Sequence, residues 1–346
     1  MASDPVGTTS RRETKTLVVP IVALRGGGGR VNPTVVVTLT GVAPHASVTR
    51  SFTIVQEVKT LRRVAADAEA NAVANANKVF VAPTEAGTRI GTDFANPTDA
   101  DDISALITQT LDLTENRVVY FKKGTYPLKI PVFIRGTGTL RLIGGFAGDE
   151  MAGGSLLGRS TAYTAARDSR NKNKIHTDNS TVFDYSNATA SLFTITGDVD
   201  LIIEGITFTR SHEAAINSDG GIIDYRLTSS AGRGVSVYDC IFDSVEVGTG
   251  KDGGAIYAGD YTQLYIDRCI FKNNTAGKNG GAISLKASNV AKSGFTIIAN
   301  SLFYGNGAEA STSEGGAIRV EKYDLEVYQS TFANNHANSA GGIMVK

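Results

Sequence analysis

The chain contains no tryptophan, and only two of its 346 residues are cysteine. Cys240 and Cys269 are too few for a disulfide-dense secreted scaffold, and no CxxC pair is present to hold zinc. His45, His176, His212 and His336 share no ligand spacing, so no histidine metal site is expected. Net charge is also absent: 34 Lys+Arg stand against 34 Asp+Glu. That balance removes the electrostatic motive for nucleic acid or an anionic membrane as partner. No apolar run reaches the length of a transmembrane helix. The opening Met1-Ala2-Ser3-Asp4 lacks the apolar stretch of a signal peptide, which leaves open a cytoplasmic chain or one whose export signal has been removed. Glycine is abundant, at 38 residues, but without a collagen period. Many short apolar runs between glycines point to a turn-rich β protein.

Three β-branched runs, Thr16–Leu24, Thr34–Thr40 and Ser51–Val58, predict a small antiparallel sheet within an N-terminal segment, 1–64. Gly26–Gly29 lacks the Gly-Lys-Ser/Thr ending of a phosphate loop and reads as a hairpin turn. An Ala/Asn-rich stretch, 65–77, reads as a linker or short helix. Beyond it, 78–346 reads as one repeat domain. Ile103, Leu106, Ile107 and Leu111 fall on one helical face, predicting a helix over 101–113. Such a helix would cap the apolar core of a first solenoid coil. Asp99, Asp101 and Asp102 belong to its N-terminus. Strands are expected at 79–82, 118–121 and 140–143, a turn at Lys123–Tyr126, and an insertion loop over 151–179.

The repeat carries the most information. Phe208, Phe242, Phe271, Phe303 and Phe332 recur, each preceded seven residues earlier by Leu201, Val235, Leu264, Thr296 and Leu325. Five residues before stand Ile203, Val237, Ile266, Ile298 and Val327; two before stand Ile206, Cys240, Cys269, Ser301 and Ser330. A glycine pair follows each phenylalanine, from Gly220-Gly221 to Gly341-Gly342, with Ile256, Ile283, Ile318 and Met344 after the later pairs. Two short strands per unit, each apolar on one side, cannot close a core alone. Stacked about 4.8 Å apart, they pair every backbone group with the units above and below. The prediction is an all-β, right-handed parallel β-helix. A leucine-rich or helical repeat is disfavoured because the units are β-branched and no helix recurs.

Gly253-Gly-Ala-Ile256, Gly280-Gly-Ala-Ile283 and Gly315-Gly-Ala-Ile318 form a GGAI motif. Phe271-Lys-Asn-Asn274, Phe303-Tyr-Gly-Asn306 and Phe332-Ala-Asn-Asn335 form an FxxN motif. Together they resemble the repeats of chlamydial polymorphic outer-membrane proteins and of wider bacterial β-helix surface proteins. The block Val118–Glu150, with its KGTY and GGFAGDE, is similar to the start of such domains in secreted Bacteroidetes proteins. The resemblance spans about residues 78–346. It departs at Phe208 and Phe242, whose third following residues are Ser211 and Val245, and at Gly341-Gly342, which Ile343-Met344 follow. It implies an extracellular or cell-surface protein with a structural or adhesive role, presenting loops to a glycan or cell-surface ligand.

Two alternatives stand beside that role. A carbohydrate-active enzyme, lyase-like, would need acids and a base across consecutive coils. The outward positions four and six before each phenylalanine bring no two carboxylates onto neighbouring coils, and no catalytic residue is assigned. A filament subunit is the other alternative, because the chain stops inside a coil at Ile343-Met344-Val345, an assembly edge for head-to-tail self-association. No cofactor is expected, calcium excepted: Asp252, Asp260 and Asp267, with Lys251 nearby, are candidates for a cation or sugar site, against a plainer reading as solvated turn residues. Tyr238, Tyr265 and Tyr328 are candidates for an outward glycan-binding stripe. Asn274, Asn306 and Asn335 recur in register and predict a buried asparagine ladder. Cys240 and Cys269 predict reduced, buried neighbours in adjacent coils; a disulfide between them is possible but not implied.

Overall fold

The computed structural model describes residues 34–39, 48–53, 77–83, 116–128, 131–146, 180–186, 189–210, 215–227, 229–230 and 232–346. The chain divides into two units, Met1–Thr60 and Leu61–Lys346. In the first, Thr34–Leu39 pairs antiparallel with Val48–Thr53, Thr34 opposite Thr53 and Leu39 opposite Val48. The second strand thus starts ahead of the expected Ser51, because pairing with Thr34–Leu39 sets its limits rather than its own β-branched run. The expected strand at Thr16–Leu24, the linker up to residue 76, the helix at 101–113 and the loop at 151–179 lie outside the described residues.

The second unit is a stack of parallel strands. Face one holds eight, from Lys78–Val81 through Arg117–Lys122, Thr139–Phe146, Asp200–Glu204, Gly234–Tyr238, Gln263–Asp267 and Phe295–Ala299 to Asp324–Tyr328. Face two holds seven, from Gly124–Pro127 through Thr181–Asp184, Ile206–Thr209, Ile241–Asp243, Ile270–Lys272 and Leu302–Tyr304 to Thr331–Ala333. Face three also holds seven: Val132–Ile134, Phe193–Ile195, Ile223–Tyr225, Ile256–Ala258, Ile283–Lys286, Ile318–Glu321 and Ile343–Val345. Seven successive turns of chain visit the three faces in the same order, the arrangement of a parallel β-helix. Each strand pairs in register with its counterpart one turn away, as Leu201 with Val235 and Leu264, and Ile283 with Ile256 and Ile318.

Each turn therefore has three strands where the repeat predicted two, and three turns add a fourth, Glu246–Thr249, Thr275–Gly277 and Gly307–Ala308, which pair with one another in parallel between faces two and three. The run expected as one strand bends three residues before each phenylalanine, at Gly205, Asp239, Arg268, Asn300 and Gln329, all with positive φ. A left-handed residue there turns the chain sharply, so face one ends and face two begins. The expected turn at Lys123–Tyr126 is likewise largely strand. Gly124, at φ +139°, makes the corner, and Gly124–Pro127 pairs with Thr181–Asp184.

Alternate residues fill the interior. Leu201, Ile203, Val235, Val237, Leu264 and Ile266 from face one meet Ile223, Ile256, Ile283 and Ile318 from face three, all fully buried. From face two come the phenylalanines. Phe242, Phe271, Phe303 and Phe332 stack at 4.6, 4.8 and 4.7 Å with ring planes within 4°. That separation is the strand spacing itself, so the backbone repeat imposes the ring stack, and each pair adds about 0.5–1.5 kcal/mol beyond burial.

The glycine pairs form the corner before face three. Gly280 has φ +64°, and a Cβ on Gly281 would collide with the carbonyl oxygen of Gly316 on the next turn. The last pair was placed one residue late by the repeat. Gly315 N–H donates to Ser339 and Gly316 N–H to Ala340, while Ile318 pairs with Ile343 rather than Met344. Ala340, at φ +55°, occupies the first glycine's conformation and Gly341 the second's place.

Candidate functional site

The outward residues of face three form a continuous polar strip. Since Ile223 and Tyr225 point into the core, Asp224 points out; its register partners on the next three turns are Tyr257, Ser284 and Arg319. All four are shielded: 6 % exposed for Asp224, 8 % for Tyr257, none for Ser284 and 6 % for Arg319. Arg226 donates from Nε to Asp224 (2.8 Å) and from Nη2 to Asp219 (2.8 Å), and its guanidinium lies 4.6 Å from the centre of the Tyr257 ring. Arg319 is held between two carboxylates, Glu314 (3.4 Å) and Glu321 (2.5 Å). Glu314 also accepts from Lys346 at 2.9 Å.

A second ladder borders the strip, built from the residue before each glycine pair. Asp219 Oδ1 accepts the backbone N–H of Asp252 (2.8 Å), Asp252 Oδ1 accepts from Asn279 Nδ2 (2.9 Å), and Asn279 Oδ1 accepts the backbone N–H of Glu314 (3.0 Å). Each side chain thus ties its own corner to the next.

Burial sets the electrostatics. It raises the Asp224 carboxyl to about 6 against the pull of Arg226, with Asp219 reinforcing the rise. Burial also raises Asp252, opposed by Lys278 and Asn279, and pushes Tyr257 up to about 12, opposed by Arg226. On this strip Ser284 Oγ and Arg319 Nη1 are buried without a hydrogen-bond partner in the protein, a state that Ser236 Oγ and Thr296 Oγ1 on face one share. The strip therefore combines a carboxyl that titrates near neutrality, an aromatic ring and two desolvated polar groups. Sequence reasoning tested the outward positions of face one and passed over this strip; its signal was the polar residue directly after each isoleucine of the GGAI motif.

The tyrosines proposed as a stripe do not stack. Tyr238 aligns with Asp267, and Tyr265 with Ser236 and Ile297, in separate ladders; Tyr328 lies two turns from Tyr238's partner. Tyr238 is 1 % exposed and packs with Ile202, whereas Tyr328 is open to solvent. The three aspartates do not converge either. Asp252 belongs to the ladder beside face three. Asp260 accepts from the Ser288 backbone and hydroxyl and pairs with Lys292 at 3.3 Å. Asp267, at the end of a face-one strand, pairs with Arg268 and accepts from Asn300 Nδ2 at 2.9 Å. Each has its own partners at a different corner, and no cluster of three metal-ligating side chains occurs among the described residues.

The asparagines form a chain of bonds. Asn274 Nδ2 donates to Phe242 O (3.0 Å) and to Asn306 Oδ1 (2.9 Å); Asn306 Nδ2 donates to Phe271 O (3.0 Å) and to Asn335 Oδ1 (2.8 Å). Asn335 Nδ2 donates to Phe303 O at 3.0 Å. Cys240 and Cys269 are buried free thiols, their sulfurs within 3.2 and 3.5 Å of the carbonyls of Tyr238 and Asp267. In the next two turns Ser301 and Ser330 hold the same position, and each hydroxyl accepts the backbone N–H of the turn before, Cys269 and Ser301 (both 3.1 Å). Ile343–Val345 pairs with Ile318–Val320; Ile343 packs on the core and Val345 is exposed.

Residues 268–286 match the Chlamydia polymorphic membrane protein repeat. The match runs from the Arg268 corner through Phe271, Asn274 and the Gly280–Ile283 corner to Lys286, covering faces two and three of one turn. No curated protein and no solved structure matches the chain.

Proposed function

We propose that this chain is the β-helical portion of a cell-surface or secreted protein and works by display. The stack is a rigid scaffold, wound right-handed as parallel crossovers are, that holds loops outward for adhesion. The observation that carries this reading is the match of residues 268–286 to a membrane-protein repeat, inside a stack whose other turns reuse the same corners. The distribution of length variation supports it. From Asp200 onward the corner between faces one and two stays tight, whereas the segments from Asp243 to Ile256, Lys272 to Ile283 and Tyr304 to Ile318 differ in length. So do those joining face three to the next turn, such as Tyr225 to Gly234 and Glu321 to Asp324. Insertions at corners leave the ladder intact, so loops can diverge while the scaffold persists.

The test is location. An antibody raised against residues 180–346 is applied to intact cells of the source organism, with external protease as a second arm. Labelling of intact cells, lost on protease treatment, or recovery of the chain from the medium is the expected result. Labelling that requires permeabilisation would overturn the reading.

A further inference from the structure

We propose that Cys240 and Cys269 form an oxidation site, joined on export as a disulfide that staples two successive turns of the stack. This rests on the surface reading only for the compartment that supplies the oxidant. The two are the chain's only cysteines. Tyr238 pairs with Asp267 and Ile241 with Ile270, so Cys240 and Cys269 hold one register position on adjacent turns. Register partners on neighbouring strands stand about 4.7–4.9 Å apart. That lies inside the span of about 4.4–6.8 Å between Cα atoms that a disulfide bridges.

The side chains lean together. Cys269 Sγ lies 3.5 Å from the carbonyl oxygen of Asp267 in its own turn and 3.5 Å from that of Val237 in the turn before. Cys240 Sγ lies 3.2 Å from the carbonyl oxygen of Tyr238, the residue after Val237, and the Cys269 thiol is a hydrogen-bond partner of the Cys240 thiol. Packing does not demand sulfur here: Ile206 holds the same position one turn earlier, and Ser301 and Ser330 hold it in the next two turns. Ser301 Oγ accepts the backbone N–H of Cys269 at 3.1 Å, a bond for which a thiol is a weak acceptor. What two adjacent cysteines add that isoleucine or serine does not is a covalent link.

The oxidant is a disulfide compound, and the step is thiol–disulfide exchange. One cysteine thiolate attacks a molecule such as oxidised glutathione, forming a mixed disulfide and releasing one glutathione. The other cysteine thiolate then displaces the second glutathione and closes the Cys240–Cys269 bond. Two protein thiols are oxidised, one glutathione disulfide is reduced, and the two protons leave on the two glutathione thiols. Exchange belongs to the folding chain, because both sulfurs are buried in the finished stack. Burial, followed by the hydrogen bond with Cys269, pushes the Cys240 thiol up, away from the thiolate that exchange requires. The redox state is thus set as the turns close and kept afterwards.

The experiment refolds the full chain from guanidinium in oxidised glutathione and, separately, in dithiothreitol. Tryptic cleavage at Lys251 and Arg268 separates the two cysteines, so unreduced peptides analysed by mass spectrometry show whether they are linked. The expected result in glutathione is one linked peptide pair, no titratable thiol after denaturation, and a melting temperature about 5–10 °C above the reduced chain. Cys240→Ser places the residue of later turns in this position and is expected to melt at the same temperature from both buffers. Two titratable thiols, glutathione left on either cysteine, or a linked chain that melts no higher than the reduced one would overturn the staple. Refolding of purified chain is independent of where cells place it, so a failed staple and a failed surface location are read separately. Chain released from intact cells by external protease is expected to carry the linked pair, and free thiols there would overturn oxidation on export.

Discussion

Asn306 shows how one side chain joins three turns. Its Oδ1 accepts from the backbone and side chain of Asn274 (3.1 and 2.9 Å), and its Nδ2 donates to Phe271 O and Asn335 Oδ1. Asn306→Ala strands buried groups on both neighbours. At about 1–3 kcal/mol for each group left unpaired, the loss is expected to exceed 3 kcal/mol in urea unfolding. Asp224 makes a different prediction. Its folded carboxyl sits at about 6 against an ordinary 3.8, chiefly through burial. The folded state therefore binds its proton more tightly. That contribution to stability is fully present below pH 3.8 and is lost as pH rises through about 6. Relative to Asp224→Asn, the protein is expected to lose on the order of 2–3 kcal/mol between pH 4 and pH 8. Melting temperatures of the pair measured across that range check it; a constant difference would contradict the assignment.

The corners decide which elements form. Ala340 adopts φ +55° where Gly220, Gly253, Gly280 and Gly315 stand in earlier turns. A left-handed conformation costs a residue bearing a Cβ about 1–2 kcal/mol, partly offset by the greater unfolded-state freedom of glycine. Ala340→Gly is therefore expected to stabilise Ile343–Val345 by about 0.5–1 kcal/mol, read as slower hydrogen exchange at Lys346 and Ile318, whose amides bond across this last pair of turns. Gly281→Ala should do the opposite and severely. Its Cβ meets the backbone carbonyls of Gly316 and Gly307, which cannot move without breaking two ladders; thermal melting of that variant is expected at a much lower temperature. Two corners were visible, as the glycine pairs and the FxxN asparagines. The corner between faces one and two was not, because Asp239, Arg268, Asn300 and Gln329 share no residue type, only a backbone conformation.

Across the whole stack, stability is the sum of like-on-like layers, each touching only its neighbours. Phe271 is sandwiched between Phe242 and Phe303 at 4.6 and 4.8 Å. Phe271→Ala is expected to cost about 3–5 kcal/mol. Hydrogen exchange should rise in the turns holding Ile241–Asp243 and Leu302–Tyr304 before it rises in Thr139–Phe146, which lies several turns away. Uniform acceleration along the chain would instead indicate a single cooperative block.

Sequence alone determined that this chain stacks. Apolar residues at fixed offsets from each phenylalanine, and glycines at a recurring corner, are local patterns that any copy of the unit repeats. Only the tertiary structure decided what lies outside the core. Tyr238, Tyr265 and Tyr328 looked alike as outward residues, but Tyr238 is buried against Ile202 while Tyr328 is open to solvent. Asp224, Tyr257, Ser284 and Arg319 share no residue type and lie far apart in the chain, yet register lines them up on one face. A repeat records the positions that must be alike to pack. The strip is built from positions free to differ, and their meeting depends on the spacing between turns.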